Sequence, residues 1–414
     1  MSVDNVRQKC KDWRRDYNEE KPHSASGNFT PMEEDAITPQ HKISRVTARA
    51  LRMPTDFSWL GLDRKANNAI GFVEVETDTG LVGYGVTNLA DPKVIAQIIN
   101  GVAGPAIVGM DALATERVWH ELYWTLTNAA QTGYATTAIA AIDVALWDVK
   151  GQALGLPVWK LIGGARQKVE VYATIGVPKL GRDELVETGK RLTAMGFKAL
   201  KIQVGRPGLD HRSGQKALIE IIREDVRRIA ALRAGVGPEI EIGIDAQCRL
   251  DLAHAIELVR RSEEHGVAFF EEPLLQNDPM LMADMRRRCA IPLYAGQNEG
   301  LAFRFRDMLV NRSVDLIQPS PNAAGGFTQC IRIAGLASSF NIPINGSGCI
   351  YHAMHLQAGV ANGTTLEFQT NSATSYKVLF ENRPEPQEGW ITLPDAPGLG
   401  VKPNLDAVKE FTQH

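Results

Sequence analysis

ALKIQVG at residues 199–205, EIGIDAQ at 241–247 and AFFEEPL at 268–274 are the stretches of sequence that decide the fold. Each contains apolar residues that lead to a polar or acidic one, namely Gln203, Asp245 and Glu271, and a segment long enough for a helix follows each stretch. Short apolar strands that alternate with amphipathic helices are typical of a parallel β-sheet. These stretches therefore predict three consecutive βα units.

Further strand candidates of the same kind lie on both sides of these three. The full set is 169–175, 199–205, 241–246, 268–273, 292–297, 315–320, 342–347 and 365–369. Strands in this number, alternating with helices, predict a closed parallel barrel of the TIM type. The competing fold, an open doubly wound sheet, lacks support because no G-x-G-x-x-G motif follows the first strand.

The regions that flank the barrel have a different character. Residues 70–86 alternate β-branched and polar residues around a T-D-T-G turn, which predicts a hairpin, and helical patterns follow it. The fold class predicted is α/β, a (β/α)7β barrel with an α+β capping domain. The expected division is a polar N-terminal extension at 1–41, the capping domain at 42–165, the barrel at 166–371 and a C-terminal segment at 372–414 that returns to the capping domain.

Composition excludes several classes of partner. The formal net charge is −3, and no polybasic patch suggests a nucleic acid or membrane partner. No apolar stretch approaches the roughly 20 residues of a membrane span, and the N-terminus lacks the apolar core of a secretory signal. The five cysteines are odd in number and form no C-x-x-C pair. These features predict a cytoplasmic protein with reduced thiols.

Three oxygen-bearing side chains come at the ends of consecutive predicted strands. They are Asp245, Glu271 and Gln297, each 26 residues from the next. In a parallel barrel, strand ends meet at one rim, and two carboxylates with an amide oxygen suit Mg²⁺. The alternative is that these acids cap helices or pair with basic residues. The matched spacing favours the metal site, with Glu299 as a competing third ligand.

Other polar residues are expected at the same rim. Lys201 and Gln203 share one face of the second strand, because side chains alternate along a strand. Glu367 ends the eighth strand, and Ser320 and Ser347 end the sixth and seventh. A lysine inside a barrel is costly unless it is paired or functional. Lys201 is therefore expected either to form a structural ion pair or to bind a substrate carboxylate.

Together, these motifs resemble one known family. The segment TAIAAIDVALWDVKGQALGLPVWKLIGG at 137–164, the strand motifs GFKALKIQVG, GIDAQ, FFEEPL and AGQNE, and PGLGV at 397–401 are similar to those of mandelate-racemase-like members of the enolase superfamily. The resemblance implies a capping domain over a (β/α)7β barrel. It also implies Mg²⁺-assisted removal of the proton α to a carboxylate, with a Lys or His base.

The family's functional residues carry over only in part. Asp245 and Glu271 match the first two metal ligands, whereas Gln297 stands where the third, a glutamate, is usual. Lys201 matches the first lysine of the K-x-K motif, and Gln203 stands where the second lysine, the usual base, is expected.

The other usual base is an Asp–His dyad, and Ser320 and Ser347 stand in its place. Glu367 matches the acid that hydrogen-bonds the substrate carboxylate. Since glutamine cannot accept a proton and serine needs an activator, another group must transfer the proton. His352 is the first choice, with Tyr172, Tyr351 or Lys201 itself as alternatives.

The predicted function is a Mg²⁺-dependent hydro-lyase that dehydrates a sugar acid. The catalytic residues expected are Lys201, His352 and Tyr172; Gln203, Glu367, Ser347 and Trp59 are expected to bind substrate. Trp59, in TDFSWLGLD, could equally belong to the capping-domain core. The alternatives are a racemase or epimerase of a hydroxycarboxylate, and an inactive member that binds a carboxylate. A homo-oligomer with a small carboxylate as its only other partner is expected.

Overall fold

The computed structural model describes residues 8–9, 11–12, 41–126, 132–176, 180–209 and 216–413. The predicted N-terminal extension at 1–41 lies outside the described residues, apart from those few positions. Among the described helices, none combines the length and the hydropathy that a membrane span requires.

The chain first forms a three-stranded antiparallel sheet, in the order β1-β2-β3. Its strands are β1 (Ile43–Asp56), β2 (Lys65–Thr77) and β3 (Val82–Thr87). The turn between β2 and β3 uses Gly80 at φ 84°, a left-handed conformation that glycine adopts without strain. The hairpin predicted at 70–86 is thereby confirmed.

Helices cover this sheet. They are α1 (Pro92–Ile98), α2 (Gly104–Ile107), α3 (Thr115–Leu126), α4 (Tyr134–Leu154) and α5 (Val158–Ile162). Helix α4 lies against β3, where a β-carbon added to Gly85 would come within 2.1 Å of the Ala141 carbonyl oxygen. The sheet and helix therefore pack backbone to backbone, and their apolar faces form a core of the capping domain.

Eight parallel strands then close into a barrel, because the last strand pairs with the first. The strands are β4 (Lys168–Ile175), β5 (Ala199–Gln203), β6 (Glu241–Asp245), β7 (Val267–Glu271), β8 (Leu293–Ala295), β9 (Leu316–Ile317), β10 (Ile344–Gly346) and β11 (Gly363–Gln369). All eight fall within or overlap the stretches predicted from the sequence, so the predicted fold class is confirmed.

The connecting helices form the outer layer of the barrel. They are α6 (Arg182–Ala194), α7 (Leu218–Val236), α8 (Leu252–Ser262), α9 (Pro279–Arg288), α10 (Ala302–Val310), α11 (Gly326–Ser339) and α12 (Ile350–Gly359). Two of them begin at aspartates that accept hydrogen bonds from the first turn, Asp251 for α8 and Asp278 for α9. These caps fix the points at which the loops after β6 and β7 end.

The remaining chain runs back to the first sheet. Its elements are α13 (Thr370–Leu379), β12 (Phe380–Glu381), β13 (Trp390–Thr392), β14 (Lys402–Pro403) and α14 (Leu405–Phe411). The Gln413 backbone N–H donates to the Ala50 carbonyl of β1 over 2.8 Å. The sheet of the capping domain is thus held by the tail as well as by the barrel.

Candidate active site

A buried ion cluster lies inside the barrel, where β5, β6, β7 and β11 meet. The Lys201 ammonium hydrogen-bonds Glu271, and its nitrogen lies 3.0 Å from a Glu367 oxygen and 3.6 Å from an Asp245 oxygen. All four side chains are at most 2% exposed. The cluster brings together four of the residues singled out from the sequence.

Amide groups complete the contacts of Glu271. Gln297 Nε2 donates to one carboxylate oxygen over 2.7 Å, and Gln318 Nε2 donates to the other over 2.7 Å. The sequence analysis missed Gln318. The alternation of side chains along a strand could have identified it, because Gln318 lies two residues before Ser320 and so shares its face of the strand.

Burial and the neighbouring charges shift the pKa values of the groups in the cluster. Burial lowers the pKa of Lys201, but attraction from Glu271 and Glu367 outweighs it and holds that pKa well above its usual value. Burial raises the pKa of Glu271 well above its usual range, even with Lys201 beside it. Burial acts on Glu367 too, but Lys201 and donors from Thr174 and Gln369 outweigh it, so its pKa is lowered. These contacts favour the protonated form of Lys201.

A cavity of about 340 Å³ opens above the cluster. Its lining is dominated by amides and includes two members of the ion cluster. The lining residues are Asn88, Leu89, Thr174, Gly176, Gln203, Asp245, Gln247, Arg249, Gln297, Asn298, Glu367, Gln369 and Asn371. Amides both donate and accept hydrogen bonds, so the lining matches a ligand with many hydroxyl groups.

Left-handed backbone at non-glycine residues is concentrated in the loops after β6 and β7. Gln247, Cys248 and Glu272 have φ of 47°, 59° and 42°. Such residues cluster at functional sites, where the surrounding structure enforces them. At Glu272 the buried carboxylate hydrogen-bonds Asn277 and Asn298, and burial raises its pKa to about 7. The sequence analysis missed this second carboxylate, because alternation along β7 points it away from Glu271.

The predicted metal ligands Asp245 and Glu271 can bind a divalent cation only if an amide oxygen supplies a third donor. When ionised, the three carboxylates outnumber Lys201, and a buried charge excess favours an added cation. Within the described ranges, however, no three acidic, histidine or cysteine side chains form a metal-binding group. The third donor must then be Gln297, after its amide turns, or Gln318, whose Oε1 is buried without a partner among the described residues. With that donor, Asp245 and Glu271 fit a hard cation such as Mg²⁺.

The competing third ligand, Glu299, is engaged elsewhere. Its carboxylate accepts from Asn277 Nδ2 over 3.0 Å and from Arg304 Nε over 2.9 Å. It does not line the cavity, unlike Gln297.

His352 does not belong to the cavity, so its choice as the proton-transfer group is corrected. It is 1% exposed in the first turn of α12, and its Nδ1 lies 3.2 Å from Asn322 Nδ2. Burial lowers its pKa to about 3. The physical reason is its position beyond the end of β10, where the helix turns the ring toward Asn322 rather than toward the barrel axis.

Three other predicted residues also lie off the cavity lining. Tyr172 points into the barrel beneath Lys201, whose ammonium nitrogen is 5.7 Å from the ring centroid. Trp59 packs edge-on against Phe368 of β11 with centroids 6.3 Å apart. It is partly buried against the core that includes the barrel strands, not in the capping-domain core that the sequence offered as the alternative. Ser347 is 1% exposed, and its hydroxyl has no partner in the described part of the chain. The prediction of Tyr172 as a catalytic residue is therefore corrected, as are those of Trp59 and Ser347 as substrate contacts, because none of the three lines the cavity.

Gln203 and Glu367, in contrast, line the cavity, while Ser320 and Tyr351 are buried away from it. The Ser320 hydroxyl donates to the Ser347 carbonyl over 3.2 Å, and Tyr351 packs against Tyr376. Neither residue lines the cavity.

Comparison with known proteins agrees with this geometry. The family model described as "Enolase C-terminal domain-like" matches residues 184–407, and the one described as "Mandelate racemase / muconate lactonizing enzyme, N-terminal domain" matches residues 43–163. The chain belongs to the mandelate racemase / muconate lactonizing enzyme family. A separate model, described as an integrase core domain, matches residues 1–31 only.

Relatives in this family are named as enzymes of sugar-acid metabolism. The chain is 30% identical to the D-galactarolactone cycloisomerase of Agrobacterium fabrum over 378 residues, 87% of this chain and 95% of that protein. It is 27% identical to the arabinonate dehydratase of Saccharolobus solfataricus over 335 residues, 79% of this chain and 86% of that one. Others are named as dehydratases of L-rhamnonate and D-galactonate.

The fold also matches solved structures of the family. A racemase from Streptomyces coelicolor with bound magnesium superimposes with a TM-score of 0.79 at 27% identity. The match covers 90% of this chain and all of that chain. The family relationship thus supports an enzyme of the dehydratase or isomerase type.

Proposed function

We propose that this chain is a hydro-lyase that removes water from a sugar acid. The observation that carries the proposal is the amide-lined cavity above the Lys201 cluster, which offers hydrogen bonds for hydroxyl groups and has Glu367, the ion-pair partner of the buried Lys201, in its lining. The named activities of the relatives support the same substrate class.

Glu367 is the proposed proton-transfer group. It lines the cavity, its pKa is lowered, and it is held by Lys201 and by Thr174 Oγ1, which donates over 2.6 Å. In the proposed reaction its carboxylate accepts the proton from the carbon α to the substrate carboxylate. A carbon–carbon double bond forms as the β carbon–oxygen bond breaks, and Glu367 returns the proton to the departing hydroxyl as water. One side chain serving as base and then as acid fits a site without the usual bases.

Lys201 and a cation have separate proposed roles. Lys201 keeps its proton and stabilises the negative charge that develops on the substrate carboxylate. A divalent cation held by Asp245, Glu271 and an amide oxygen would supply further positive charge there when bound.

A cycloisomerase is the second candidate. Two relatives at 30% identity are cycloisomerases of a galactarolactone and of an anhydro-galactonate. Ring opening and dehydration can both begin with loss of the α proton. They differ in whether the departing oxygen stays on the product.

The test is a screen of sugar acids and their lactones with mass detection. Hydro-lyase activity gives a product lighter by one water, whereas cycloisomerase activity gives a product of unchanged mass. Glu367→Gln and Lys201→Met should each lower turnover at least about 100-fold, whereas Tyr172→Phe, which removes a hydroxyl beneath the cluster, should change it less than about threefold. Full activity in Glu367→Gln refutes its proposed role, and no turnover of any acid favours an inactive member that only binds a carboxylate.

A further inference from the structure

We infer that Gln369 positions the Glu367 carboxylate so that one of its two oxygens, Oε2, is the atom that takes the substrate proton. The inference rests on the proposed function for the role of Glu367. The part played by Gln369 follows from the hydrogen bonds at the seam where β11 pairs with β4 and closes the barrel.

Polar side chains from both strands of this seam surround Glu367. Gln369 lies two residues after Glu367 on β11, so the two side chains face the same side of the sheet, the inside of the barrel. The register of the parallel pair sets Glu367 level with Tyr172 and Gln369 level with Thr174. Thr174 and Gln369 thus lie one inward-facing level closer to the rim than Glu367, one on each strand, and all three line the cavity.

The two carboxylate oxygens of Glu367 have unequal sets of donors. Oε1 accepts from Thr174 Oγ1 over 2.6 Å and lies 3.0 Å from the Lys201 ammonium nitrogen. Oε2 accepts from Gln369 Nε2 over 2.9 Å. A carboxylate oxygen has two lone pairs, so these donors occupy both positions on Oε1 but one position on Oε2. Among the described residues, the second position on Oε2 is therefore the one left to accept a proton from a molecule in the cavity.

The Gln369 amide also fixes the direction of the carboxylate. An ionised carboxylate only accepts hydrogen bonds, so the amide nitrogen rather than its oxygen must face Glu367. Hydrogen bonds to an ionised acceptor are about twice as strong as neutral ones, which opposes rotation of the carboxylate. Burial raises the pKa of Glu367, but Lys201, Thr174 and Gln369 outweigh it and lower that pKa. A base needs both the ionised form and a fixed direction toward the proton.

Gln369→Met tests the inference, because methionine is similar in length but cannot donate a hydrogen bond to Glu367. Protonation of Glu367 is followed by carbon-13 NMR of the full-length protein, with glutamate carboxyls labelled and Mg²⁺ present, and Glu367→Gln identifies the signal. Loss of the donor should raise the Glu367 pKa, so the rise of activity with pH should move to higher pH. With the sugar acid that the screen identifies, kcat should fall about tenfold or more and KM should change less than about threefold.

Two further variants make the comparison specific. Gln203 also lines the cavity, but it ends β5, two strands away from β11 in the sheet. Gln203→Met should therefore leave the Glu367 pKa unchanged, whatever it does to substrate binding. Gln369→Glu keeps the shape of the side chain, which covers the case in which Gln369→Met fails to fold. It places a second carboxylate beside Oε2 and should raise the Glu367 pKa by repulsion.

The outcomes separate this inference from the proposed reaction. An unchanged Glu367 pKa in Gln369→Met, or an equal rise in Gln203→Met, overturns the role of Gln369 even if wild type dehydrates a sugar acid. A raised pKa with an unchanged kcat at high pH would be an electrostatic effect alone, and it overturns the choice of Oε2. If no acid turns over but the pKa rises only in the Gln369 variants, the hydro-lyase proposal fails and the positioning of Glu367 by Gln369 stands.

Discussion

Lys201 is the residue on which the candidate site depends most. A buried ammonium is unfavourable alone, and here the carboxylates of Asp245, Glu271 and Glu367 surround it. When all three acids are ionised, one cation among them leaves an excess of negative charge in a buried cluster. The amide donors of Gln297 and Gln318 reduce the free-energy cost of burying the Glu271 carboxylate but do not cancel its charge. The site should therefore respond strongly to any change of charge within it.

Gln297→Glu tests this balance. The new carboxylate would replace an amide that donates to Glu271, so repulsion should destabilise the metal-free protein. A third carboxylate should also tighten Mg²⁺ binding by about tenfold or more. Calorimetry and the thermal shift caused by Mg²⁺ measure the two effects.

Gln369→Glu is the matched control for that prediction. Gln369 also lines the cavity and donates to a cluster acid, Glu367, over 2.9 Å. Its hydrogen bond is to Glu367 and not to the proposed ligands Asp245 and Glu271, so this change should not tighten Mg²⁺ binding. Unchanged affinity in Gln297→Glu would mean that residue 297 is not a ligand and that Gln318 fills the position.

The sequence predicts the direction of a side chain on a regular strand, because side chains alternate there. It does not predict the direction of a side chain in a loop or at the start of a helix. Four of the predicted residues lie on regular strands, where the alternation of side chains was enough to predict that they face the inside of the barrel. They are Lys201, Gln203, Asp245 and Glu271. Glu272 follows β7 with a positive φ, and no pattern of residue types marks that conformation. His352 was misplaced for the same reason: beyond the strand, direction depends on how α12 begins.

At the scale of elements, the strands were predictable because a parallel barrel buries both faces of each one. Even β9, with its two residues Leu316–Ile317, was recognisable from apolar residues before a polar end. Helix α4 was less well predicted. The sequence indicated only that helices follow the hairpin, whereas the structure buries α4 on almost every side between β3 and α11.

Gly85→Ala tests how tightly α4 and β3 are joined. The added β-carbon would lie 2.1 Å from the Ala141 carbonyl oxygen, far inside contact distance, so the helix must shift. We predict a loss of about 3 kcal/mol or more in the free energy of unfolding. Urea denaturation followed by circular dichroism measures it.

Gly335→Ala is the matched control within another helix. Gly335 lies on the exposed side of α11, and a β-carbon there would meet nothing within 4 Å. This change should stabilise the protein by about 0.5–1 kcal/mol, because alanine favours a helix. Similar effects of the two substitutions would show that the packing of β3 on α4 is not tight.

At the scale of the whole molecule, polar contacts join the capping domain to the barrel. Asn322, after β9, donates from Nδ2 to the Val86 carbonyl of β3 over 2.5 Å and accepts at Oδ1 from the Cys349 N–H over 3.0 Å. The capping domain also contacts the C-terminal tail, where the hydroxyls of Thr55 in β1 and Ser375 in α13 lie 2.7 Å apart. The cavity has lining from both units, since Asn88 follows β3. Its shape therefore depends on this docking.

Asn322→Ala should loosen the docking without unfolding the barrel. It leaves the Val86 carbonyl and the Cys349 N–H without these partners, at a cost of about 2–4 kcal/mol. Hydrogen exchange should show the largest loss of protection in β2 and β3, with β6 and β7 little changed. Asn311→Ala, at an exposed asparagine whose Nδ2 donates to the Asp307 carbonyl of α10 over 2.8 Å, should change neither region. Equal loss of protection in the capping sheet and in the barrel strands would instead show that the two units open together, so that no single junction residue controls the cavity between them.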